Sequence, residues 1–121
     1  MTEERVIKRS RGRPKQYYKY QLPTGVVKVV QAQCADFERK RIALKNGGIS
    51  DEVRKAYEET NAIISEALEE VEEACRKDFL KDIAENHGWN KSSINWMLSQ
   101  GAYYNRKWKV VYEIARKLFL I

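Results

Sequence analysis

Apolar residues recur at helical spacing over most of this chain, and their rhythm changes twice. Val26, Val27, Val30, Cys34, Phe37 and Leu44 form one stripe, with Lys28, Arg39, Lys40 and Lys45 mostly elsewhere. Pro23 suits the first turn of that helix, where its missing N–H does no harm. The valines lower helix propensity in the opening turns. Asn46-Gly47-Gly48 marks the end. Ser50 is a good N-cap for the next helix, and Asp51 and Glu52 sit where the helix dipole favours acids. From Val53 no Gly or Pro appears until Gly88. Tyr57, Ile64 and Val71 recur every seventh residue, with Thr60, Ala67 and Ala74 midway and Ile63, Leu68 and Cys75 widening the stripe. The pattern predicts one amphipathic helix of about seven turns, with a narrow seam. That seam suits either the 24–45 helix folded back as a hairpin or the same helix of a second subunit, a homodimer.

The third rhythm lies between Asp78 and Leu120. A helix-turn-helix wants a small residue at the crossing, Gly at the turn four positions later, and apolar anchors six and nine positions beyond the turn. Ala84, Gly88, Ile94 and Met97 occupy those places, with Ile83 and Leu98 beside them. Asn90 is a credible cap for a helix starting at Lys91. Lys91, Ser92, Ser93 and Asn95 then fall on its first turns, where recognition helices meet base edges and phosphates. Gly101 interrupts the chain, Asn105 can cap a further helix over 105–119, and Trp108, Val111, Tyr112, Ala115, Leu118 and Phe119 form its apolar face. Trp89, Trp96 and Trp108 most simply build the core of this small bundle.

Charge sharpens the picture. The net +6 is unevenly placed: +5 over residues 1–20, +3 over 21–45, −6 over 46–78 and +4 over 79–121. Two basic regions flanking an acidic one suit a polyanion-binding protein. Residues 1–19 are polar and basic, a composition that predicts a disordered arm. Within it, Arg11-Gly12-Arg13-Pro14 resembles an AT-hook, a resemblance that implies close backbone approach at Gly12 and entry of Arg11 and Arg13 into the negative minor groove of A·T-rich DNA. A basic solubilising or phosphate-binding tail is the alternative. Tyr17, Tyr18 and Tyr20 announce the folded part.

A wider resemblance joins these pieces. Gly88-Trp-Asn-Lys-Ser-Ser-Ile-Asn-Trp-Met-Leu98 resembles the turn and recognition helix of Cro-type phage repressors. The Tyr-rich start, Leu22-Pro23, Asp36-Phe37-Glu38-Arg39, Ala67-Leu-Glu-Glu-Val71 and Tyr104-Asn-Arg-Lys-Trp-Lys-Val-Val-Tyr-Glu-Ile-Ala-Arg-Lys-Leu118 together resemble phage late-gene transcription regulators of the RinA/ArpU type. Their C-terminal part is similar to region 4 of sigma factors. That resemblance implies Arg106, Lys107 and Lys109 on the reading helix, whereas the Cro-like register implies residues 91–99; both sets stand as candidates.

The remaining chemistry is thin. His87 is the only histidine, and Cys34 and Cys75 have no CxxC spacing, so no metal or other cofactor is expected. No phosphate loop or nucleophile set assembles, and the chain reads as non-enzymatic. With no apolar run long enough to span a bilayer and no signal peptide, a cytoplasmic, nucleoid-associated place in a bacterial host is expected. The expected fold is all-α: a flexible basic arm (1–19), a helical hairpin (20–77) and a helix-turn-helix bundle (78–121). The expected function is a sequence-specific regulator of transcription, phage- or prophage-encoded, with double-stranded DNA as its partner. Alternatives are a small phage DNA-packaging subunit, and an adaptor that binds RNA polymerase or a sigma subunit through the acidic 51–77 helix.

Overall fold

The computed structural model describes residues 20–121; the arm, with Arg11 and Arg13, lies outside them. The described part is all-α. A long N-terminal helix is bent at Asp36 into α1 (Thr24–Ala35) and α2 (Phe37–Asn46), followed by α3 (Asp51–Leu68), α4 (Arg76–Glu85) and α5 (Gln100–Lys117). Among the described residues there is no strand. Pro23 stands one position outside α1, where its carbonyl accepts from Val27 N–H at 3.1 Å. The bend lets one helix serve two neighbours, because α1 packs mainly on α4 and α2 mainly on α3. The hairpin expected of residues 20–77 therefore forms only for α2, where Asn61 Nδ2 donates to Phe37 O at 3.1 Å.

The stop after α2 is as the sequence indicates: Gly47 and Gly48 take φ of 75° and 81°, and Gly47 N–H returns to Ala43 O. Ser50 caps α3, its Oγ accepting from Val53 N–H at 3.2 Å. The end of α3 is a correction. The helix does not run on to residue 77 but stops at Leu68, with neither Gly nor Pro to break it. The following backbone tightens into three-residue turns, Glu70 N–H to Ala67 O and Val71 N–H to Leu68 O. Arg76 holds this end, because its Nε donates to both Leu68 O and Val71 O, at 3.0 and 3.1 Å. A side chain from beyond the turn thus satisfies carbonyls that another helical turn would have used. The turn carries Val71 and Cys75 into the core.

α4 ends at Asn86, which adopts the left-handed conformation (φ 58°) expected of Gly88. Gly88 itself is extended at φ −91°. It is glycine for space: a Cβ there would stand 2.6 Å from the Tyr104 hydroxyl. That hydroxyl accepts from Trp89 N–H at 3.1 Å.

No α-helix forms over 91–99. A 3₁₀ turn spans Trp89–Lys91, irregular turns follow, and Ser99 rather than Asn105 caps α5, its Oγ accepting from Ala102 N–H at 3.2 Å. Gly101 and Asn105 lie inside α5. Short polar side chains compete with the helix ladder here. Ser92 Oγ accepts from Ile94 N–H, Asn95 Nδ2 donates to Asn90 O, and Trp89 Nε1 donates to Leu98 O. One core unites the elements: Val30, Ile64, Cys75, Phe79, Ile83, Tyr103, Val110 and Ile114 are buried together. The boundary expected between residues 77 and 78 falls inside α4 and is no break in that core.

Candidate nucleic-acid interface

Two surfaces carry the nominated residues, the 86–99 connection and α5. The connection is braced on both sides. Ser93 Oγ donates to Asp78 on α4, Ile94 is buried, and Met97 Sδ lies 3.8 Å from Cys75 Sγ. Lys91 is exposed at the end of the 3₁₀ turn. Ser92 is only 4 % exposed, and its hydroxyl is engaged with the backbone of its own turn, so it faces the interior. The four candidates of the Cro-like register therefore do not share a helix face: Lys91, Ser93 and Asn95 reach the surface, and Ser92 does not.

On α5, three cations expected to act together sit in two environments. Lys107 is 4 % exposed and its Nζ donates to His87 O at 2.8 Å. Burial lowers its ammonium pKa below the ordinary lysine value, with Asp82 opposing that shift. The ring of Tyr103 stacks on Phe79 at 5.1 Å, and its hydroxyl donates to Asp82 Oδ2 at 2.9 Å. Desolvation and this carboxylate push the phenol well above its usual value. Lys107, Asp82 and Tyr103 thus fasten the start of the connection to α5, and Lys107 does not point to solvent.

Arg106 and Lys109 do reach the surface, each against a carboxylate of the 66–72 stretch. Arg106 donates through Nε and Nη2 to both oxygens of Glu72, at 3.1 and 3.0 Å. Lys109 pairs with Glu70 at 3.0 Å, and Lys117 with Glu66 at 3.1 Å. The guanidinium of Arg106 holds the Glu72 carboxyl below the usual carboxylate range, and Glu70 raises the ammonium of Lys109. Along α5, the acid stretch following the α3 seam lies as an antiparallel strip of counter-charges.

One feature escaped the sequence reading. Trp96, expected in the core, is 79 % exposed, and Met97, expected as an anchor, is 43 % exposed. The signal was present in the register. In the helix expected from the sequence a residue two positions on from the anchor Ile94 faces away from it, and Trp96 stands there. The segment forms turns instead, and these leave both Trp96 and Met97 outside. A second feature concerns charge: residues 86–112 contain no Asp or Glu at all. The exposed or half-buried polar residues near Trp96 in sequence include Asn90, Lys91, Ser93, Asn95 and Ser99, and a carboxylate from outside the run, that of Asp78, accepts from Ser93 Oγ.

No group of His, Cys, Asp or Glu among the described residues is arranged to hold a metal ion. No helix among them is long and apolar enough to cross a membrane. Cys34 and Cys75 are free and buried. No protein-family model, curated protein or solved structure matches this chain.

Proposed function

We propose that this protein is a non-enzymatic, sequence-specific duplex-DNA-binding regulator of transcription. The observation that carries the reading is the carboxylate-free run 86–112. It covers a braced surface segment and the first turns of an 18-residue helix, and it exposes amides, hydroxyls and Lys91. Phosphate is bound by such groups, while amides also read base edges. The carboxylates beside this surface, Asp78 on Ser93, Glu72 on Arg106 and Glu70 on Lys109, come from other segments and are displaced on binding. The basic arm with Arg11 and Arg13 adds sequence-independent affinity. The resemblance to phage late-gene regulators supports a role in transcription in a bacterial host. In this reading Lys91, Ser93 and Asn95 meet the duplex directly. Arg106 and Lys109 join them by exchanging Glu72 and Glu70 for phosphates.

Selection from a library of random duplexes tests sequence specificity. A recurring motif is expected, with its enrichment lost in Asn95→Ala. Recovery of sequences no more alike than the input would sink the specific reading and leave a non-specific binder. One observation favours a second reading: Asp51, Glu52, Glu58 and Glu59 on α3 are exposed and enter no ion pair among the described residues. A bare acidic face suits docking to a basic surface of RNA polymerase or a sigma subunit. Capture of polymerase by the full chain after nuclease digestion, lost in Glu58→Lys/Glu59→Lys, distinguishes that reading.

A further inference from the structure

The indole of Trp96 stands at the tip of a braced turn. Trp is among the most buried residue types on average, yet this one leaves 79 % of its surface in water. The turn that carries it is braced. The residues around it are fixed by the buried Ile94, by Met97 Sδ against Cys75 Sγ at 3.8 Å, and by Asn95 Nδ2 on Asn90 O at 3.2 Å. At the base of the turn Trp89 Nε1 closes on Leu98 O at 2.8 Å. The turn therefore presents a large flat ring from a braced base, which lowers the ordering cost of a contact made there.

Neighbouring chemistry selects what the ring meets. A protein-binding hot spot is ringed by further apolar contacts that exclude water. Here Met97 is the one exposed apolar residue beside it in sequence, and the polar residues within six positions include Asn90, Lys91, Ser93, Asn95 and Ser99, with Asp78 held on Ser93. Hydrogen-bonding groups around one projecting ring match a base step, whose apolar faces lie between polar sugars and phosphates. Apolar side chains projecting from DNA-binding proteins enter such steps, unstack them and kink the duplex.

We infer that Trp96, with Met97 beside it, is a wedge that inserts at a base step of duplex DNA and bends it. The inference rests on the DNA-binding reading above and adds the contact by which DNA is deformed. Because the ring is solvent-exposed, its removal leaves the core intact, and Trp96→Ala retains the thermal melt of the parent chain.

The test uses the full chain with a duplex carrying a donor and an acceptor dye at its two ends, and follows tryptophan emission in parallel. The parent chain shortens the end-to-end distance, and its emission is quenched on binding. Trp96→Ala binds about tenfold more weakly, in line with loss of one aromatic stack, and leaves the duplex straight. Trp96→Phe keeps most of the bend. A Trp96→Ala chain that binds and bends the duplex as the parent does overturns the wedge and assigns the indole to a protein partner. Tighter binding to single strands than to duplex overturns it too, in favour of stacking on unpaired bases. A parent chain that binds no DNA defeats the DNA reading itself, and the wedge with it.

Discussion

Lys107 and Arg106 are neighbours in sequence and opposites in environment. Arg106 lies at the helix edge with its guanidinium forked on Glu72, whereas Lys107 is buried with its ammonium on His87 O. Charge type alone gives both the same role, and only the facing of α5 separates them. Burial acts as strongly on a thiol. The Cys34 thiol is pushed from 9.0 up to about 12 by desolvation. Its unfolded form therefore loses a proton first as pH rises, so the stability tied to that proton is whole below pH 9 and disappears toward pH 12. The slope from this one group reaches at most about 1.4 kcal/mol per pH unit. Urea unfolding of the parent chain and of Cys34→Ala, followed from pH 8 to 11, should show the parent losing stability faster above pH 9. Lys107 and Tyr103 also shift in this range, but both chains share them, so the difference isolates Cys34. Parallel loss in the two chains would contradict the assignment.

At the scale of elements, the acid-rich stretch from the last turn of α3 into the following turn acts on α5 as an internal counter-ion. Glu66, Glu70 and Glu72 pair with Lys117, Lys109 and Arg106, and these exposed pairs contribute little to stability. A DNA phosphate must displace Glu70 and Glu72 before it reaches Lys109 and Arg106. Replacing both acids, Glu70→Gln/Glu72→Gln, should therefore tighten duplex binding roughly two- to fivefold at low salt, with little change in melting temperature. Weaker binding would show that the strip positions α5 rather than screening it. The strip also shows where the sequence was legible. Val30, Cys34, Ile64, Ile83, Val111 and Ala115 lie in the core as helical spacing requires, and Gly47 and Ser50 set the boundaries their chemistry demands. Phe119, expected on the same face as Val111, instead stands past the end of α5 at positive φ and is 90 % exposed. The stop at Leu68 was hidden, because the residue enforcing it, Arg76, acts from beyond the turn through its side chain. The helix expected over 91–99 failed for a related reason: Ser92, Asn95 and Trp89 satisfy backbone groups locally or across the turn. Single-residue propensity does not record such bonds. Gly88 was noticed for its flexibility, but the structure uses its lack of a side chain.

For the whole molecule, a bent helix, a second helix and the α4–α5 pair close around one core, and the 86–99 connection is held on its outside. The charge pattern fits this arrangement: the acids of 46–78 lie partly against α5, partly on the exposed start of α3 and, at Asp78, against Ser93 of the connection, while 86–112 itself contains none. The central claim is that the surface of residues 86–112, with the basic arm, binds duplex DNA through its phosphates. The most direct measurement is fluorescence anisotropy with a random duplex over a salt series, for the full chain and for a chain lacking residues 1–16. Both should bind at low salt, the full chain with a log–log slope of about −3 or steeper and the shortened chain with a shallower one. A shortened chain with no affinity at low salt would contradict a binding surface within the folded part. Absence of binding by the full chain would contradict the account as a whole.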